Sequence, residues 1–204
     1  MIAALAAKIT SKQIAAGRVS QDQAAVYQYG YEIVINYILN FLVILLVGLL
    51  FGRLLAVAMF CLAYMPLRSF AGGHHASTHE RCTVVSALIL VLFCIIMHFI
   101  PSALYLPATT VNLLLSAPVI LYFSPVEDVN KPLFQQERKL FGKRARIMWA
   151  TELLCVIILL FFHLWQFAYI VSLGHLTLAI IMILGLLLGR RKKASVIDET
   201  ENPD

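Results

Sequence analysis

Residues 84–100, VVSALILVLFCIIMHFI, decide the fold. No charge interrupts them, and the run reaches the length of about 17–25 apolar residues that a helix needs to cross a bilayer. Working outward, the pattern recurs. Residues 33–51, 54–67, 106–123, 147–167 and 168–188 are also predominantly apolar, which makes six expected spans. The second is short and ends at Pro66, so a tilted or re-entrant helix fits it as well as a full crossing. The last two abut without a charged turn, and the reversal is placed near residues 172–175. The chain is 61% hydrophobic and 13% charged, whereas soluble domains carry about 25% charged residues. The expected fold class is therefore all-α: a polytopic membrane protein of about six transmembrane helices, forming one integral membrane domain over residues 1–193.

The flanks of the spans carry the orientation. In residues 1–18, Ile2, Leu5, Ile9 and Ala16 fall near helical spacing, with Lys8, Lys12 and Arg18 off that stripe. Such a segment suits a helix lying in the headgroup region. Gly17 is expected to end it, and Ser20-Gln-Asp-Gln23 resembles a capping box opening the next helix. With no basic residues before the first apolar ones and no small-residue cleavage site, a cleaved signal peptide is not expected. If the N-terminus is cytoplasmic and the chain crosses six times, every Lys and Arg except Arg53 falls on the cytoplasmic side, as the positive-inside rule requires. Both termini are then cytoplasmic. The basic loop over residues 125–146, with Lys131, Lys139, Lys143 and Arg144, would face anionic lipid or dock an acidic peptide segment. Residues 194–204 are polar and acidic and are expected to be disordered. No glycine-rich phosphate loop is present, and no nucleic-acid partner is expected. Spans bearing small and polar residues leave a homodimer open.

Just before the deciding run lies a polar island, residues 68–82: RSFAGGHHASTHERC. Three readings of it stand side by side. In the first, Cys82 is a nucleophile and His75 the base that takes its proton, a pair that would share one face if helix continued from His75 to Cys82. Arg68 and Arg81 would favour the thiolate, and the backbone of Gly72 and Gly73 would donate to an oxyanion. In the second, His75, His79 and Cys82 bind zinc. In the third, the island is a polar turn whose arginines meet lipid phosphates. Cys61, Cys94 and Cys155 sit inside apolar runs, where cysteine behaves as a small buried hydrophobe. The polar residues within the spans read as interhelical glue: Asn36 with Asn40, and Asn112 with Ser116. Glu152 is expected to pair with Arg144 or Arg146 at the interface, while His98 and His175 fall near the outer face.

Arg68, Gly73, His75 and Cys82 form the pattern R-x4-G-x-H-x6-C, with Ala76 after the histidine. A second block, Ala117-Pro118 through Ser124-Pro125 to Asn130-Lys131-Pro132, lies in register on the same layout. Together they resemble the accessory gene regulator B (AgrB) family, membrane endopeptidases of Gram-positive quorum sensing, and the resemblance covers nearly the whole chain. It implies a cysteine endopeptidase of the cell membrane that needs no cofactor and no metal. The partner it implies is a signal propeptide of the AgrD type, whose C-terminal part is cut off. His75 and Cys82 take the places of the catalytic residues, and Arg68 and Gly73 those of the motif's arginine and glycine. The thioester acyl-enzyme would be resolved by a thiol or hydroxyl of the peptide itself, giving a cyclic thiolactone or lactone. The alternatives from other classes are a non-enzymatic peptide exporter or membrane binding module, and a zinc-dependent membrane protease.

Overall fold

The computed structural model describes residues 1–73, 79–127 and 134–201, without the side chains of residue 79 and of residues 190–201. Among the described residues every element is helical: α1 (Ile2–Ala15), α2 (Ala24–Leu50), α3 (Leu54–Ala71), α4 (His79–Phe99), α5 (Tyr105–Phe123), α6 (Gln135–Phe161) and α7 (Trp165–Glu201). Five stretches are long and apolar enough to cross a membrane: Gln21–Leu50, Leu54–Ala71, Glu80–Phe99, Ser102–Phe123 and Trp165–Gly189. Large apolar side chains such as Leu46, Leu50, Leu62, Leu88 and Leu114 point outward on these helices. In water that would be an aggregation surface, whereas in lipid it is the ordinary exterior of a bundle. The all-α polytopic membrane class is the observed one.

Three boundaries differ from the sequence expectation. Ser20 makes no side-chain cap; a short 3-10 turn over Gln21–Gln23 leads into α2 instead. Pro66 does not end the second span, because α3 runs on to Ala71. The last reversal lies at residues 162–164 rather than near 172–175, with His163 in left-handed backbone at φ 58°. Histidine is among the few residues enriched in that region. The change shortens the fifth expected span. The apolar half of α6 is residues 147–161, about 22 Å of helix at 1.5 Å per residue, against a hydrocarbon thickness of about 30 Å. The backbone of α7 continues to Glu201, so the tail expected to be disordered is described to that point as helix, and residues 202–204 lie outside the described residues.

The chain forms two compact units. The first combines Met1–Val57 with Ala76–Ile96. In it α1 packs on α2, with Ile2, Ala6 and Thr10 buried. Thr83 of α4 donates to the Asn36 side chain of α2 at 3.2 Å, and Asn40 donates to the same oxygen from one turn along α2. The second unit combines Ala58–His75 with Met97–Asp204. Its core lies where α5 and α6 pack against α7, around Ala63, Val156, Ala168 and Val171. Asn112 of α5 donates to Ser172 of α7 at 3.1 Å. The expected interhelical role holds for Asn112, whereas Ser116 bonds back to its own helix at Leu113.

Candidate active site

The second unit brings the two sequence blocks together. At the end of α3 the chain turns through Gly72 and Gly73, at φ 75° and 123°, a conformation that a side chain would strain. Val126, two residues after Ser124, lies beside this turn as a parallel bridge. Its N–H donates to the Ala71 carbonyl at 2.9 Å, and its carbonyl accepts from the Gly73 N–H at 3.3 Å. The contact is so close that a Cβ on Gly72 would lie 2.2 Å from the Val126 oxygen. The block around Ser124-Pro125 is thus tied by backbone to the block that carries Gly73.

This geometry bears directly on the oxyanion expectation. The Gly72 N–H donates to the Arg68 carbonyl at 3.0 Å, and the Gly73 N–H to Val126. Both amides are already engaged, and for either to meet an oxyanion its present acceptor would have to be released. Arg68 is half-buried on the last turn of α3, donates to the Tyr64 hydroxyl and lies 5.6 Å over the Tyr64 ring. His75 and Lys131 lie outside the described residues, as do the other residues of 74–78 and 128–133.

Cys82 belongs to the first unit. It sits in the first turn of α4, which begins at His79, and is half-buried with a free thiol. The helix expected from His75 to Cys82 is described only from His79 onward. Cys61 and Cys94 are buried, as their apolar settings suggested, but Cys155 is exposed on its helix. Glu80 accepts from the Met1 and Ile2 nitrogens at 2.9 and 3.2 Å, which fastens the start of α1 to the start of α4.

The cationic half of α6 is organised around the strap of residues 124–127. Arg138 meets Glu127 at 3.6 Å, Arg146 donates to the Leu121 carbonyl at 3.3 Å, and Arg144 lies 5.7 Å over the Phe70 ring. Lys139, Lys143 and Arg144 are exposed. Two features escaped the sequence reading. Gly142 faces the strap, and a Cβ there would meet the Ser124 oxygen at 3.2 Å and the Pro125 ring at 3.3 Å. Glu152 pairs with neither Arg144 nor Arg146 as expected, but with His175 of α7 at 2.6 Å. His175 is fully buried within α7, not near an outer turn. A glycine in a basic loop and a histidine in an apolar run carry no local signal of either contact.

The family described as Accessory gene regulator B has a profile that matches residues 3–186. An AgrB-like protein of Listeria monocytogenes serovar 1/2a is 28% identical over 121 residues, 59% of this chain and 58% of the relative. One of Listeria innocua serovar 6a is 28% identical over the same extent. The chain thus spans about 58% of the length of the curated relatives that it matches. No solved structure matches it.

Proposed function

The chain belongs to the accessory gene regulator B family, and from that premise we propose that it is a membrane cysteine endopeptidase that processes an AgrD-type signal propeptide. Cys82 attacks the scissile carbonyl, and His75 takes its proton and returns it to the leaving amine. The product of this step is a thioester between Cys82 and the N-terminal part of the peptide. A thiol or hydroxyl on the same peptide then attacks the thioester carbonyl and expels Cys82, which closes a thiolactone or lactone ring. Tethering gives that nucleophile a high effective concentration, so cyclisation outruns hydrolysis. The observation that carries the reading is the family match across residues 3–186, within which the R-x4-G-x-H-x6-C pattern lies entire.

The propeptide is read as an amphipathic segment on the cytoplasmic leaflet, with its acidic end toward Lys131, Lys139, Lys143 and Arg144. Arg68, held against Tyr64, steadies the end of α3 from which the histidine segment departs. The test is cleavage of a co-expressed candidate propeptide. Cys82→Ala and His75→Ala are expected to abolish cleavage, with Cys61→Ala active and a peptide adduct trapped on Cys82. Normal cleavage by Cys82→Ala would end the nucleophile reading and bring the zinc-protease and exporter readings forward.

A further inference from the structure

We propose that Thr83, locked by Asn36 of α2, is a positioning residue for Cys82. The inference deepens the reading of Cys82 as the nucleophile and rests on it. Thr83, Asn36 and Cys82 all belong to the first compact unit.

The opening turn is the least secure part of a helix, because its first N–H groups have no partner inside the helix. Cys82 lies in that turn of α4. The turn is nonetheless held on both sides of the thiol. Two residues before Cys82, the Glu80 carboxylate accepts from the Ile2 N–H of α1 at 3.2 Å. One residue after it, the Thr83 hydroxyl donates to the Asn36 side-chain oxygen at 3.2 Å. That oxygen is itself fixed. Asn40, one turn along α2, donates to it at 3.2 Å and to the Asn36 main-chain carbonyl at 2.8 Å. The Asn36 amide therefore presents oxygen rather than nitrogen to α4, and Thr83 can meet it only as a donor.

The periodicity of α4 puts this tie where it governs the thiol. Val84, Leu88 and Leu92 form an exposed ridge, whereas Leu90, Phe93 and Cys94 are buried. At helical spacing Thr83 heads the ridge that continues to Leu90 and Cys94, and Cys82 heads the neighbouring one that reaches Phe93. Rotating the first turn to take Thr83 off Asn36 swings Cys82 by the same angle, because the two share a backbone. Asn36 lies about 18 Å into α2, at 1.5 Å per residue, so the start of α4 meets that helix near its middle rather than at a fraying end. Between apolar helices a hydroxyl and an amide gain from meeting each other, since lipid offers neither a partner. A nucleophile needs such a hold, because misplacement by about 1 Å can cost about 100-fold.

The probe is iodoacetamide, applied to the purified full chain in detergent, with labelling of Cys82 and Cys94 followed by mass spectrometry. Both cysteines are on α4, and Cys94 is fully buried about three turns further on. Thr83→Val keeps the branched shape and removes the hydroxyl, and Asn36→Leu removes its acceptor. Each is expected to raise the Cys82 rate severalfold and to leave the Cys94 rate unchanged. Thr83→Ser, which keeps the hydroxyl, should recover most of the wild-type protection. The double variant should go no further than the larger single effect, since both changes remove one bond. Cleavage of a co-expressed candidate propeptide should fall severalfold in Thr83→Val and recover in Thr83→Ser. Unchanged Cys82 labelling in both variants overturns the proposal. So does a joint rise at Cys82 and Cys94, which is loosening of the whole unit, or a loosened Cys82 that cleaves at the wild-type rate. In each of these cases loss of cleavage in Cys82→Ala leaves the nucleophile reading standing. Normal cleavage by Cys82→Ala removes that reading and this inference together. If Thr83→Val does not accumulate, Asn36→Leu carries the same test from the other helix.

Discussion

Between Glu152 and His175 the separation is 2.6 Å, and the imidazole is completely buried. Removing either partner leaves the other's polar atom unpaired in a low-dielectric interior, a loss of about 1–3 kcal/mol. Glu152→Ala and His175→Ala are each expected to lower the unfolding temperature markedly in detergent, and Glu152→Gln, which keeps a side-chain oxygen, to lower it less. Equal unfolding temperatures for all three and the wild type would show that the pair contributes nothing. The sequence named both residues as notable and paired Glu152 with the cations nearest along the chain. Its partner is 23 residues away, and a pairing across a turn is invisible until the turn is located. The same holds for Gly73. Its place in a motif was legible, whereas the use of its amide by Val126 depends on a segment more than 50 positions downstream.

Among the elements, α6 has the most divided composition. Glu137, Arg138, Lys139, Lys143, Arg144 and Arg146 occupy its first half, and the second half is apolar apart from Glu152 and small polar residues. Its exposed cations are the surface offered to an acidic peptide in the proposed reaction. Reversing Lys139, Lys143 and Arg144 to Glu is expected to slow cleavage by about tenfold or more at low salt, as a long-range attraction becomes repulsion. The deficit should shrink as salt rises, because screening acts on exposed charges. Cleavage that is unaffected at every ionic strength would remove the docking role. The existence of α6 was plain from its pattern, but its end was not. An aromatic-rich stretch, Phe161-Phe162-His163-Leu164-Trp165, reads as more span, since it holds no glycine, proline or charge to announce a turn. The backbone reverses there through the positive φ of His163.

For the whole molecule, the membrane class was legible because hydropathy alone dictates it, and the five crossing stretches fall where apolar runs were seen. The sidedness is a matter of parity. Five crossings place the two ends on opposite faces of the bilayer, and a sixth through α6 returns them to the same face. The arrangement of Lys and Arg predicts the second case. Reporter fusions before Ile2 and after Lys193 should both report cytoplasm, with a reporter at Arg53 on the far side. Opposite reports from the two ends would mean that α6 does not cross. The parity question meets the tight turn at residues 162–164 in the making of the protein. During synthesis Glu152 is polymerised 23 residues ahead of His175, and α6 alone would offer the membrane a short apolar stretch with a bare carboxyl group. With only three residues between the helices, α7 follows at once and folds back along α6. If α6 crosses, the expected unit of insertion is the helical pair, so that the carboxyl group would enter lipid already in the company of its imidazole.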